Sequence, residues 1–304
     1  MFKKLKIGLA LGSGGARGLA HIGVIKALEK ANIPIHIITG SSIGALVGGM
    51  YAQTLDIDDV EKKIVSFFTG EEYKKTGLHL FRSEMQPENF FGQVARKTDG
   101  ELIIQLDRKR ISLMKHDRIG IIMDSLLGEG LIENTRVKFS PVATNLETGE
   151  IVVFRSGSIR ESIKASAAIP GFLPPIEYRH LVLVDGSVSA SIPVEPALGL
   201  GADIVIAVNV SRSLDQEPMP DNVIDILFRT NMITSLRNDM MACEKADVVI
   251  KPQVGHYHWA QFDKFHELIA EGEKYASAGV DLVKKIIKKR GGKLPNLEFE
   301  KEPN

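Results

Sequence analysis

Ser42 stands at the centre of Gly40-Ser41-Ser42-Ile43-Gly44, entered by a strand-like run (His36 to Thr39) and left by a run of small residues with helical character. This G-x-S-x-G spacing suits a sharp strand-to-helix turn. Such a turn strains its central residue and presents the side chain at the strand's carboxyl end. Gly40 and Gly44 are needed because side chains there would collide with the strand and helix, and Ser41 and Ile43 complete the elbow. The helix that follows points its N-terminus at the serine and favours negative charge developing there. Two readings stand: a nucleophilic hydroxyl, or a tight turn whose serine caps the helix.

A second cluster, Leu9-Ala10-Leu11-Gly12-Ser13-Gly14-Gly15-Ala16-Arg17-Gly18, follows the first strand and opens the first helix. Dinucleotide binding requires glycines at n, n+2 and n+5. Gly12 and Gly14 fit, but the third position is Arg17, and no acidic residue closes the second strand. A P-loop fails because no Lys-Ser/Thr follows Gly18. What remains is a loop that aims backbone N–H groups, from Gly14, Gly15 and Ala16, at an anion beside Ser42, or a turn that lets the helix pack closely.

A serine nucleophile needs a base. His21 lies on the apolar face of the first helix with Ile25 and Leu28 and reads as a core histidine. His36 begins a strand, away from its carboxyl end, His180 sits in a turn before a strand, and His79, His116, His256, His258 and His266 lie in peripheral segments. Asp185 is placed better. It directly follows the apolar run Leu181 to Val184, with Gly186 for a tight turn, at a strand end where open α/β sheets bind ligands. An ordinary Asp-Gly turn is the other reading.

These residues need elements to hold them. The 304 residues, 44% hydrophobic and 25% charged, suffice for a large core. The early order strand, turn, helix, strand, turn, helix implies a parallel sheet with right-handed crossovers. Strands are expected at 6–11, 35–39, 137–144, 151–154, 181–184, 202–210 and 246–251, and helices at 17–31, 43–53 and 262–289. Between residues 56 and 136 the charge density rises and short helices are expected. The fold is therefore one α/β domain with a helical insertion.

Balanced charge, 38 basic against 38 acidic side chains, gives no case for nucleic-acid binding. The single cysteine, Cys243, forms no intramolecular disulfide and reads as a buried small hydrophobe. The apolar run after the basic start is too short for a signal-peptide core, and no run approaches the length of a membrane span. The expectation is a cytoplasmic protein with room for peripheral contact at the inner membrane face. Residues 106–118 mix Arg108, Lys109, Arg110, Lys115 and Arg118 with Ile111, Leu113 and Met114, a composition suited to anionic lipid or to a solvated helix. No role is assigned to Trp259.

Taken in order, Gly14-Gly15-Ala16-Arg17-Gly18, Gly40-x-Ser42-x-Gly44 and Asp185-Gly186 resemble the motifs of the patatin-like phospholipase family. Residues 142–150 and 163–175 look like that family's intervening blocks, and the likeness is to small bacterial members with one catalytic domain. It implies a three-layer sandwich around a mostly parallel central sheet. The single domain would have a core at about 5–210, the insertion at about 56–136 and a terminal helix at about 262–290. It further implies a Ser42–Asp185 dyad without histidine and an oxyanion hole formed by Gly14, Gly15, Ala16, Arg17 and Gly18. The reaction implied is hydrolysis of phospholipid, lysophospholipid or related fatty-acyl esters through an acyl-enzyme, with no metal and no cofactor. The chain departs from the usual family pattern at Ser13, at Ser187, and at Ser189-Ala190-Ser191, where an asparagine is common. Those departures motivate a second reading, a catalytically weak regulatory or lipid-binding protein on the same fold.

Overall fold

Five-residue apolar runs with no polar face belong in the middle of a covered parallel sheet; Ile7–Leu11 and Ile204–Val208 are two such runs and lie side by side there, with the equally buried Ile37–Ser41 next to the first. The computed structural model describes residues 5–76, 117–214 and 219–291. The chain begins with β1 (Ile7–Leu11), a 3-10 turn (Gly15–Leu19), α1 (Ala20–Lys30), β2 (Ile37–Ser41) and α2 (Ile43–Thr54). Helices α3 (Ile57–Thr69), α4 (Glu71–Thr76) and α5 (Asp117–Leu126) follow. Next come β3 (Lys138–Asn145), β4 (Ile151–Val153), α6 (Ile159–Ser166), β5 (Ile176–Tyr178) and β6 (Leu181–Asp185). The described chain ends with α7 (Ser187–Ala190), α8 (Val194–Gly199), β7 (Ile204–Val208), α9 (Val223–Glu244), β8 (Val248–Ile250) and α10 (Phe265–Lys289).

Among the described residues the strands form one sheet in the order β5-β6-β3-β2-β1-β7-β8, with β4 paired to β3. The five strands from β3 to β8 run parallel, while β6, β5 and β4 are antiparallel additions at one end. Successive side chains of a strand face opposite sides, and this divides the core. Leu9, Leu11, Ile204, Ile206 and Val208 join the larger cluster with α1, α2 and α10. Ala10, Val205 and Ala207 join a smaller one with Ile192, Val194 and Ala197 at α8. The result is the expected three layers, helices on each face of a mostly parallel sheet.

α1 and α10 cross where both carry glycine. A Cβ on Gly23 would lie 1.9 Å from the Ile269 carbonyl oxygen, and one on Gly272 1.9 Å from that of Ala20. Two expectations shift. The second strand runs to Ser41 rather than ending at Thr39, because Gly40 and Ser41 still pair with β3. Cys243 is half-buried beside the smaller core and accepts a weak hydrogen bond from Asn209. The basic-apolar stretch within 106–116 lies outside the described residues.

Candidate active site

Register sets the place of the site. Leu11 pairs with both Gly40 and Val208, so β1, β2 and β7 end side by side. Their following residues, Gly12 to Gly15, Ser42, and Asn209 to Arg212, therefore share one rim of the sheet. Ser41 pairs with Val142, but β3 continues to Asn145, and β6 runs back along that extension with Asp185 opposite Ala143. Asp185 thus ends an antiparallel strand, not a parallel one. It reaches the rim because β6 terminates where β2 does.

The elbow has the geometry that its spacing predicts. Ser42 has φ 54° and ψ −120°, a conformation costly for a residue with a side chain. A Cβ on Gly44 would lie 2.3 Å from the Leu11 carbonyl oxygen, and one on Gly40 2.5 Å from the Ala45 nitrogen. Both positions are closed to any other residue without backbone movement. The Ser42 N–H donates to Ser166 Oγ at 3.0 Å, and the Ser42 carbonyl accepts from Ala45 and Leu46, starting α2. Its side chain therefore does not cap the helix, and the hydroxyl stays available.

Asp185 is 1% exposed. Its N–H donates to the Ala168 carbonyl and the Gly186 N–H to that of Ser166, so the end of α6 fastens both the aspartate turn and the serine elbow. Oδ1 accepts the Ser187 N–H at 2.8 Å. Burial pushes the carboxyl up to about 6, opposed by the Ser187 amide and by the Ser42 and Ser187 hydroxyls, which favour the charged form. Gly186 is required by space: a Cβ there would lie 2.4 Å from the Val142 carbonyl oxygen and 2.7 Å from Ser41 Oγ.

The glycine loop is held from several sides. Ser13 N–H donates to the Ser191 carbonyl at 2.9 Å and Ala16 N–H to the Trp259 carbonyl at 2.7 Å. Arg17 is buried, and its guanidinium donates to the carbonyls of Val210 and Tyr257. Gly18 lets α2 approach, since a Cβ there would lie 2.1 Å from Ile43 Cγ2. His21 is fully buried, and its Nε2 lies 2.7 Å from the Gly12 carbonyl oxygen. A carbonyl only accepts, so Nε2 carries the proton. Burial holds this imidazole down at about 4, neutral at ordinary pH.

Ser42 and Gly15 form part of the wall of an apolar cleft, about 740 Å³ including its open mouth. Ile43 and Leu46 of α2, Ile119 and Met123 of α5, Phe172 and Trp259 supply much of the rest. A serine hydroxyl that hydrogen-bonds a buried carboxyl thus sits in the wall of an apolar space. Among the described residues no histidine lines that cleft.

The sequence profile of the Patatin-like phospholipase family matches residues 9–198. The chain belongs to the patatin-like phospholipase family. It is similar to the patatin-like phospholipase domain-containing protein ZK370.4 of Caenorhabditis elegans, 28% identical over 88% of this chain and 20% of that one. It is likewise similar to lysophospholipase NTE1 of Scheffersomyces stipitis, 28% identical over 89% of this chain and 18% of that one. The chain spans about a fifth of the length of these curated relatives. Among solved structures, VipD from Legionella pneumophila superposes with a TM-score of 0.47 at 15% identity, covering 92% of this chain and 68% of that one.

Within this patatin-like fold the structure brings Ser42, Asp185 and the loop Gly14-Gly15 together at the rim. It turns three other residues of the expected oxyanion group to different uses. The Ala16 amide is taken by Trp259, the Arg17 side chain ties distant loops together, and Gly18 makes room for α2. Sequence reasoning missed Ser166 and the two parts played by Trp259, whose carbonyl holds the loop while its ring borders the cleft. For Ser166 the available signal was the run of small residues from Ala165 to Ala168, a composition that permits close approach.

Proposed function

We propose that this chain is a serine acyl hydrolase that cleaves carboxylic ester bonds of lipids, with phospholipids or lysophospholipids as the substrate class. The observation that carries the reading is the strained Ser42 elbow beside the buried Asp185 carboxyl at the wall of an apolar cleft. Family membership and similarity to proteins named lysophospholipases support it. In this reading the Asp185 carboxylate accepts the Ser42 proton as Oγ attacks the ester carbonyl. The Gly14 and Gly15 amides, with the α2 N-terminus behind the serine, stabilise the oxyanion. Collapse of the tetrahedral intermediate expels the alcohol, which takes the proton from Asp185. A water molecule, deprotonated by the same carboxylate, then attacks the acyl-enzyme and releases the fatty acid. The reading includes a single catalytic domain and a cytoplasmic site of action with peripheral membrane contact. Among the described residues no helix is long and apolar enough to cross a membrane.

The test combines covalent labelling with turnover. A fluorophosphonate probe is expected to modify Ser42, located by peptide mapping. S42A and D185N are each expected to lower hydrolysis of a fatty-acyl ester by about a thousandfold or more, with circular dichroism unchanged. A probe that leaves Ser42 unmodified, with no turnover, turns the reading to a lipid-binding protein.

A further inference from the structure

The rim carries a second cleft, about 710 Å³ including its open mouth, and it adds charged and hydroxyl side chains to apolar ones (Met232, Leu236, Trp259) where the lining of the first is almost wholly apolar. The two meet at the glycine loop: Gly15 borders the first, Gly14 the second, and Trp259 both. The polar cleft presents Ser13, Ser191 and Ser211 hydroxyls, the Arg17 and Arg212 side chains, and Asp239. Its cationic end is crowded. Burial lowers Arg17, Arg212 and His258, and neighbouring charge adds to it: Arg212 on Arg17, Arg229 on Arg212, and Arg212 with Arg17 on His258. Asp239, 3% exposed, lines the same cleft; its Oδ2 accepts the Ser211 hydroxyl, and the Ser191 hydroxyl and the Lys251 charge also favour its ionised form against the burial that raises it. Its Oδ1 is buried and has no hydrogen-bond partner among the described residues. A buried carboxyl oxygen without a donor is costly.

Guanidinium and hydroxyl donors at one end of the cleft suit a phosphate. A carboxyl oxygen lacking a donor suits an ammonium group. From these features, and resting on the hydrolase reading above, we infer that the polar cleft binds the zwitterionic headgroup of a glycerophospholipid, with phosphate at Arg212 and a primary ammonium at Asp239. Spacing supports the assignment. β2, which ends at Ser42, and β7, which leads to Arg212, lie on either side of β1, two strand spacings or about 10 Å apart. The glycerol that joins an ester carbonyl to its phosphate spans that distance, given the further reach of the arginine side chain. The acyl chain then fills the apolar cleft, the ester lies at Ser42, and the headgroup passes Gly14.

Two measurements on the full chain test this. In calorimetric titration glycerophosphoethanolamine is expected to bind more tightly than glycerol 3-phosphate or inorganic phosphate. R212Q is expected to weaken it by about tenfold or more. D239N is expected to weaken glycerophosphoethanolamine while leaving glycerol 3-phosphate bound as tightly or more tightly. In steady-state kinetics the ratio of kcat/KM for a lysophosphatidylethanolamine to that for the matching monoacylglycerol is expected to fall about tenfold or more in R212Q and to recover in part in R212K. Should R212Q not fold, R212K and S211A carry the same comparison. Equal binding by wild type and variants, or an unchanged kinetic ratio, overturns the headgroup site even where hydrolysis is fast. Inorganic phosphate binding as tightly as the diester overturns it too, marking a free-phosphate site. Headgroup binding without ester turnover retains the site and removes the hydrolase reading.

Discussion

Ser13 and Ser191 are joined twice, amide to carbonyl at 2.9 Å and hydroxyl to hydroxyl at 2.9 Å. The contact clasps the glycine loop to the segment that follows Asp185. In the sequence the two serines look like separate departures from the family's pattern; in the fold they are one interaction. A hydroxyl pair of this kind contributes about 1 kcal/mol, and in the proposed mechanism it keeps the Gly14 and Gly15 amides in register with Ser42. S13A and S191A are each expected to lower kcat about fivefold with little change in KM, and the double variant to lose no more than either alone. A double-mutant cycle on kcat reads the coupling. Additive losses would show that the clasp does not act as a unit.

Asp185 ties activity and stability to pH in opposite directions. As the proposed base it must be ionised, so kcat/KM is expected to rise through pH about 6 and level off above. For stability, the folded chain favours the protonated carboxyl, since burial raises it from an ordinary 3.8 to about 6. That contribution is full below pH 3.8 and is lost as pH rises through about 6. Ionisation at neutral pH then costs about 3 kcal/mol. D185N, which keeps an oxygen to accept the Ser187 amide, is expected to raise Tm at neutral pH, with the gain vanishing in acid. Thermal melts of both proteins across pH decide it, and equal melting curves at neutral pH would contradict the assignment.

The elbow was legible because steric demand writes glycines into a local pattern around Ser42. Asp185 was legible for a related reason: an apolar run ends there and Asp-Gly turns the chain. The direction of its strand was not, because β6 is antiparallel only through β3 running past the end of β2, a matter of pairing between distant segments. The same limit hid the grip of Trp259 on Ala16 and the ties of Arg17 to Val210 and Tyr257. Backbone carbonyls carry no signature of residue type, so a loop held mainly by them shows its glycines and conceals its supports.

His21 is one such support, read from sequence as a core residue and found holding the Gly12 carbonyl. H21L would leave that buried carbonyl without a donor, a loss of about 1–3 kcal/mol. Its pH dependence runs against that of Asp185. The imidazole sits at about 4 in the fold against an ordinary 6.5, so its contribution is whole above pH 6.5 and is lost as pH falls toward 4. H21L is expected to lower Tm at neutral pH and to flatten the acid limb of the stability curve between those values. Urea midpoints across that range provide the check, and an acid limb as steep as that of the wild type would assign the proton uptake elsewhere.

The apolar cleft makes a prediction about chain length. Each methylene buried in it contributes about 0.8 kcal/mol, so kcat/KM for p-nitrophenyl esters is expected to climb about fourfold per methylene until the chain fills the space. Met123 of α5 and Leu46 of α2 both line the cleft and are 4% and 5% exposed. Enlarging either shortens the space without touching Ser42 or Asp185. M123W is expected to move the plateau toward shorter chains, and M123A to extend it, with butyrate turnover changing least in both. The measurement is an ester series from butyrate to palmitate on the three proteins. A plateau at the same length in all of them would mean that the acyl chain lies outside this cleft, and the ester would then have to approach Ser42 from another side.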